Sequence, residues 1–130
     1  MINRILINVP TNASQAANVT CDELVIGEIL SVEYVKPASN GYSNGSTITV
    51  VLRKPDGSPD ETLLGITGMN ASATYYPRVP LHSTTGGAIT YDGTNPAVDT
   101  VSASAGDKIN IVVSSGGASK DAKFFIVTQS

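Results

Sequence analysis

GYSNGSTITVVLR, residues 41–53, can be read towards two opposite folds. Its first five residues fit G-x-S-x-G, the nucleophile-elbow pattern of many serine hydrolases. An acid (Asp60) and the chain's single histidine (His82) follow, so the order Ser, Asp, His is kept. An elbow is a strand, a sharp turn and then a helix that helps to build the oxyanion hole. Here the serine is followed by STITVVLR, which is β-branched and alternates. Ile48, Val50 and Leu52 fall on one face, and Thr47, Thr49, Val51 and Arg53 on the other. The preceding VKPASN carries Pro37, a poor residue for a central strand. The stretch is therefore a turn entering a strand, with Ser43 as a turn residue and His82 as an exposed loop histidine. The chain is read as a non-enzyme.

The same period of two recurs along the chain. In RILINV, Ile5, Ile7 and Val9 alternate with Arg4, Leu6 and Asn8; in KINIVVS, Ile109, Ile111 and Val113 alternate with Asn110, Val112 and Ser114. GEILSVEYV sets Leu30, Val32 and Tyr34 against Ser31 and Glu33. KFFIVT is apolar on both faces, as a central sandwich strand would be. VTCDEL, TLLGIT (62–67) and ATYY (73–76) are further candidates. Asn40-Gly41 and Asn44-Gly45 are hairpin-type signals, because Asn and Gly tolerate positive φ. Pro55-Asp56-Gly57 and Asp92-Gly93 read as turns, and Ser115-Gly116-Gly117 as the turn of a hairpin between the last two strong strands. No segment reads as a substantial helix. About eight short strands with frequent turns predict an all-β fold, an antiparallel β-sandwich or barrel.

The 130 residues suit a single domain: 1–9 a leading strand or arm, 10–18 a polar linker, 19–130 the β core. Charged residues are only 15% of the chain, below the usual share of about 25%, so Ser, Thr, Asn and Gly supply much of the polar surface. Net charge is −3, and Lys and Arg are scattered, with only Arg53-Lys54 adjacent. Nucleic-acid binders cluster their basic residues, so no nucleic-acid partner is expected. The N-terminus lacks a secretory signal, and no stretch approaches the ~20 apolar residues of a membrane span, so no membrane partner is expected.

Candidate chemistry is sparse. Cys21 is the one cysteine, without a basic neighbour to lower its pKa, and reads as a small buried hydrophobe. DGSPDE (56–61) and DGTNPAVD (92–99) carry carboxylates but fit no EF-hand loop, and read as solvated turns. Four N-x-S/T triplets start at Asn12, Asn18, Asn44 and Asn70, and reflect Ser/Thr richness. Tyr42, Tyr75, Tyr76 and Tyr91 are the aromatics open to a sugar-stacking role. No catalytic, cofactor-binding or metal-binding residue is assigned, and no cofactor is expected.

NASATYYPRVPLHSTTGGAITYDG (70–93) followed by DKINIVVSSGGASKDAKFFIV resembles the small β proteins of tailed bacteriophage particles, in particular capsid decoration (cement) proteins. The resemblance implies a structural virion protein, made in the host cytoplasm and carried on the capsid exterior. Its partner would be the major capsid protein, and a homo-oligomer, in many such proteins a trimer, is implied. Another phage component (neck, tail or fibre) and a carbohydrate or host-surface binding module are the alternatives. Tyr75, Tyr76 and Arg78 are plausible contact residues by type, because Tyr and Arg are enriched at interface cores. Residues 2–9 are expected to complete the protein's own sheet or to add to a neighbour's, since exposed edges invite pairing.

Overall fold

A computed structural model describes residues 1–57, 59–68, 71–90 and 92–130. The chain is all-β, as the alternation predicts. Its strands are β1 (Ile2–Asn8), β2 (Ala17–Val35), β3 (Thr47–Arg53), β4 (Glu61–Thr67), β5 (Ala73–Tyr75), β6 (Arg78–Pro80), β7 (Val98–Ser114) and β8 (Lys123–Gln129). All pair antiparallel in the order β1-β8-β2-β7-β3-β4, with β5 added to β2 and β6 to β7. The two ends, β1 and β4, do not meet, so the sheet is open.

Two long strands organise it. VTCDEL and GEILSVEYV belong to one 19-residue strand, β2, and β7 runs for 17 residues. The first half of β2 pairs with residues 107–113 of β7, and its second half pairs with β8 and with residues 101–103 of β7. Between the halves the register shifts, and Gly27 (φ 98°) and Gly106 (φ 92°) adopt the left-handed region. Irregularities of this kind kink strands and strengthen their twist, which turns one sheet into two facing halves. The apolar stripes of both halves join a single core: Ile5, Ile7, Val32, Tyr34, Phe124 and Ile126 from one, Ile48, Val50, Leu52, Ile109, Ile111 and Val113 from the other.

Three local expectations are corrected. The loop at Ser115-Gly116-Gly117 is not a hairpin turn, because β7 and β8 each pair with β2 and not with each other. The second half of β2 occupies the place beside β8 that the hairpin would need. Asn40-Gly41 and Asn44-Gly45 likewise join β2 to β3, which are not paired. Their loop turns tightly at Ser43–Ser46, where the Ser46 amide donates to the Ser43 carbonyl at 3.1 Å. In β2, Ile29 and not Leu30 takes the core position, because the ladder to β8 is irregular between Ile29 and Ser31. A single extra residue there reverses the alternation.

Other strand expectations match, although β2 begins at Ala17, inside the stretch 10–18 expected to be a linker. β1, β3 and the second half of β7 bury the residues assigned to the core. Pro55-Asp56-Gly57 lies in the connection from β3 to β4, as a turn after β3, and the two strands pair as a hairpin. β8 lies inside the sheet between β1 and β2, with Phe124 and Ile126 buried and Phe125 and Val127 half-buried on the other face. The buried Asn110 amide is held by partners on β2 and β3. Asn110 donates through Nδ2 to Asn18 Oδ1 (2.8 Å) and Thr20 Oγ1 (2.9 Å), and its Oδ1 accepts from Arg53 Nη2 at 3.3 Å. Such pairing is what a buried amide requires.

Candidate interaction surface

The residues of the G-x-S-x-G motif and its apparent partners lie on three parts of the fold. Ser43 sits before β3 and donates through Oγ to the Ser115 carbonyl at 2.9 Å. Asp60 lies beyond the far end of β3, 3.5 Å from the Arg53 guanidinium. Seven strand residues at roughly 3.3 Å each separate those two ends. His82 is exposed, in a bridge to Ala88 outside the sandwich. The serine is followed by a strand, so no helix N-terminus faces its hydroxyl.

Other candidates resolve in the same way. Among the described residues, no three His, Cys, Asp or Glu side chains are grouped to hold a metal ion. Asp92 caps its own turn: Oδ1 accepts from the Thr94 and Asn95 amides (2.9 and 2.6 Å), and Oδ2 from the Asn95 side chain. Those amide bonds hold its carboxyl below the usual carboxylate range. Cys21 is half-buried, not buried, because it lies where β2 carries extra residues relative to β7. Tyr42 is removed from any sugar platform: it is buried, edge-on to Tyr34 with ring centroids 5.9 Å apart. Tyr75 is half-buried against the core and Tyr76 is exposed. Of the N-x-S/T triplets, the Asn12 side chain accepts from the Ser14 and Ala16 amides and Asn18 accepts from Asn110. Asn70 and Tyr91 lie outside the described residues.

One region stands apart from the sandwich. β6 pairs with the start of β7 (Arg78 with Thr100, Val79 with Asp99, Pro80 with Val98), and the chain between them forms an excursion with its own hydrogen bonds. The Leu81 amide donates to the Ala97 carbonyl, Ala97 to Ile89 and Ile89 to Leu81, at 2.9, 2.9 and 3.0 Å. Further out, Ser83 and Gly87 close a turn, and the Asp92 turn closes another. Every described residue from 80 to 96 is exposed. Among the described residues, the order comes from backbone pairing and turn chemistry.

The excursion and its stem nevertheless carry large apolar groups: Tyr76, Leu81, Ile89 and Val98 are 65%, 38%, 41% and 52% exposed. Arg78 secures the stem, donating through Nη1 to the Leu30 carbonyl at 3.1 Å, and its guanidinium carbon stands 5.8 Å from the Tyr76 ring centroid. Of the contact residues suspected by type, Tyr76 and Arg78 are exposed here, whereas Tyr75 packs inward. Sequence reasoning missed Leu81, Ile89 and Val98. Their signal is faint: single apolar residues, without period, in a segment otherwise rich in Ser, Thr, Gly and Pro.

The second concentration of exposed apolar groups is β1, where Ile2 and Leu6 face outward. Among the described residues β1 pairs with β8 alone, over the whole of Ile2–Asn8. It thus completes the chain's own sheet, and its other edge is the end of the sheet. No family model, curated protein or solved structure matches the chain.

Proposed function

We propose that the protein is a structural virion component that binds the outer surface of a phage capsid, with the major capsid protein as its partner, and stabilises the shell by adhesion. The observation that carries this reading is the excursion between β6 and β7. An ordered projection that displays Tyr76, Leu81, Ile89 and Val98 has apolar area to bury against something else. Its composition, aromatic and aliphatic groups beside an arginine within a Ser/Thr/Gly frame, suits the centre and rim of a protein contact. The low charge of the chain supports close packing of many copies, and the segment falls within the stretch that resembles decoration proteins.

Adhesion of this kind works by linkage. Contacts made only to the assembled shell stabilise that state by mass action, and copies repeated on a symmetric lattice add avidity where they touch a common neighbour.

The test is to mix the purified protein with capsids that lack it, pellet the particles and count bound copies. Saturable binding at a copy number that divides into the symmetry sites of the capsid supports decoration. The double variant Leu81→Asp/Ile89→Asp is expected to fold normally and to bind on the order of tenfold or more weakly, as loss of an interface anchor does. A handful of copies per particle moves the protein to the neck or tail, and no binding ends the reading.

A further inference from the structure

The hydrogen-bond parity of β1 determines which of its backbone groups are spare. Met1 and Ser130 exchange both backbone bonds (2.7 and 3.0 Å), and the Val9 amide donates to the Ala122 carbonyl at 3.0 Å. In an antiparallel pair, hydrogen-bonded and non-hydrogen-bonded positions alternate. The odd residues of β1 therefore spend their N–H and C=O on β8. The even ones, Ile2, Arg4, Leu6 and Asn8, aim both groups away from the sheet.

This edge lacks most of the usual protections. Natural sheets blunt their edges with bulges, proline or charge. The other edge, β4, has a register irregularity against β3, an acidic residue at its start (Glu61) and Gly65 within it. β1 has an unbroken seven-residue register and a single charge. That charge guards the edge only in part, because Arg4 folds back over its own sheet. Its guanidinium lies 3.6 Å from the Phe125 ring centroid and 3.0 Å from Glu33 Oε2.

We propose that the occupant of this edge is the β1 strand of a second copy, paired antiparallel about a two-fold axis through Ile5. The sequence INRILIN selects that register. Centred on Ile5, Arg4 meets Leu6 of the other copy and Ile2 meets Asn8, so every outward N–H and C=O of both strands is used, in eight hydrogen bonds. The buried stripe continues across the junction, with Ile5 beside Ile5 and Asn3 beside Ile7. On the outer face the aliphatic stem of Arg4 covers Leu6. A register one step towards the N-terminus places Arg4 directly opposite Arg4, a like-charge pair that destabilises. One step the other way places Ile2 opposite Pro10, which has no N–H to give. A two-fold pair is also the commonest closed assembly of identical chains. This inference does not depend on what the excursion binds.

Sedimentation velocity on the full chain tests it, over a concentration series reaching hundreds of micromolar. The expected result is a reversible species of twice the 13.4 kDa of one chain. Leu6→Pro removes an outward amide and places a ring in the junction while leaving the β8 ladder intact; it is expected to give a monomer that still melts cooperatively, with a melting temperature that no longer rises with concentration. If that variant fails to fold, Leu6→Lys, which keeps every backbone group but sets a lysine against the neighbouring Arg4, is expected to give the same shift to monomer. A wild-type chain that stays monomeric, one that forms trimers, or a dimer indifferent to whichever of these variants folds overturns the proposal.

Discussion

The Tyr42 hydroxyl donates to the Val9 carbonyl at 2.5 Å, joining the loop after β2 to the end of β1 across 33 residues. The ring is 3% exposed and stands against Tyr34, which in turn packs on Phe124. This residue, the second of the G-x-S-x-G motif, is a buried strut where the two halves of the sandwich meet. Tyr42→Phe is expected to keep the packing and strand the Val9 acceptor, costing about 1–2 kcal/mol by urea denaturation.

Burial also pushes the Tyr42 and Tyr34 phenols up from their ordinary range. An unfolded tyrosine ionises near about pH 10. Because the folded pKa values lie higher, the associated stability is fully present below the unfolded pKa and is lost as pH rises from there through the folded values. The urea midpoint is therefore expected to fall above about pH 10, with a shallower fall in Tyr42→Phe. A flat alkaline limb in both proteins would contradict this.

Lys54 Nζ stands 2.9 Å from Asp107 Oδ2, and the Asp107 side chain is 1% exposed. Asp107 lies next to Gly106, where β7 bends, so its charge is held at a structural corner. Removing the cation leaves a buried carboxylate with less to balance it. Lys54→Ala is expected to cost about 2–3 kcal/mol, and Asp107→Asn added to it should restore part of that loss. A double-mutant cycle in thermal melts measures the coupling.

Gly27 makes the bend in β2 possible. Its φ of 98° disfavours any L side chain, and a Cβ there would run into the Gln129 carbonyl oxygen and come within 2.9 Å of Ser130 Cα. These obstacles are backbone atoms and cannot rotate away. Gly27→Ala is expected to cost about 3 kcal/mol or more, combining conformational strain with overpacking. Gly57→Ala, with a similar φ but open space around it, should cost less; equal losses would show that the close approach is irrelevant.

Ser43→Ala is expected to leave ester hydrolysis at the background shown by the unaltered protein, because Ser43, Asp60 and His82 are dispersed over the fold. A serine-dependent activity in a p-nitrophenyl ester assay would overturn the reading of the motif as a turn.

The all-β class was legible residue by residue. Ile48, Val50 and Leu52, Ile109, Ile111 and Val113, and Ile5, Ile7 and Val9 alternate in the sequence, and all nine are buried in the structure. Pairing was much less legible. Turn chemistry at Asn40-Gly41 and Ser115-Gly116-Gly117 reports that the chain reverses, but not which strand it returns beside. The excursion was harder still, because Leu81, Ile89 and Val98 follow no period, and their exposure depends on what fails to pack over them.

Alternation is a local property: side chains of a strand point to opposite faces whatever the strand pairs with. The sequence by itself therefore determined that this chain is built of half-buried strands, and which residues most of them turn inward. Only the tertiary structure decided that β2 separates β7 from β8 and that both long strands bend near Gly27 and Gly106. It also decided that β1 ends the sheet with its even backbone groups free. Those outcomes rest on hydrogen bonds and close approaches between residues 70 to 130 positions apart, as in Gly27 against Ser130 or Met1 against Ser130, and no window of neighbouring residues encodes them.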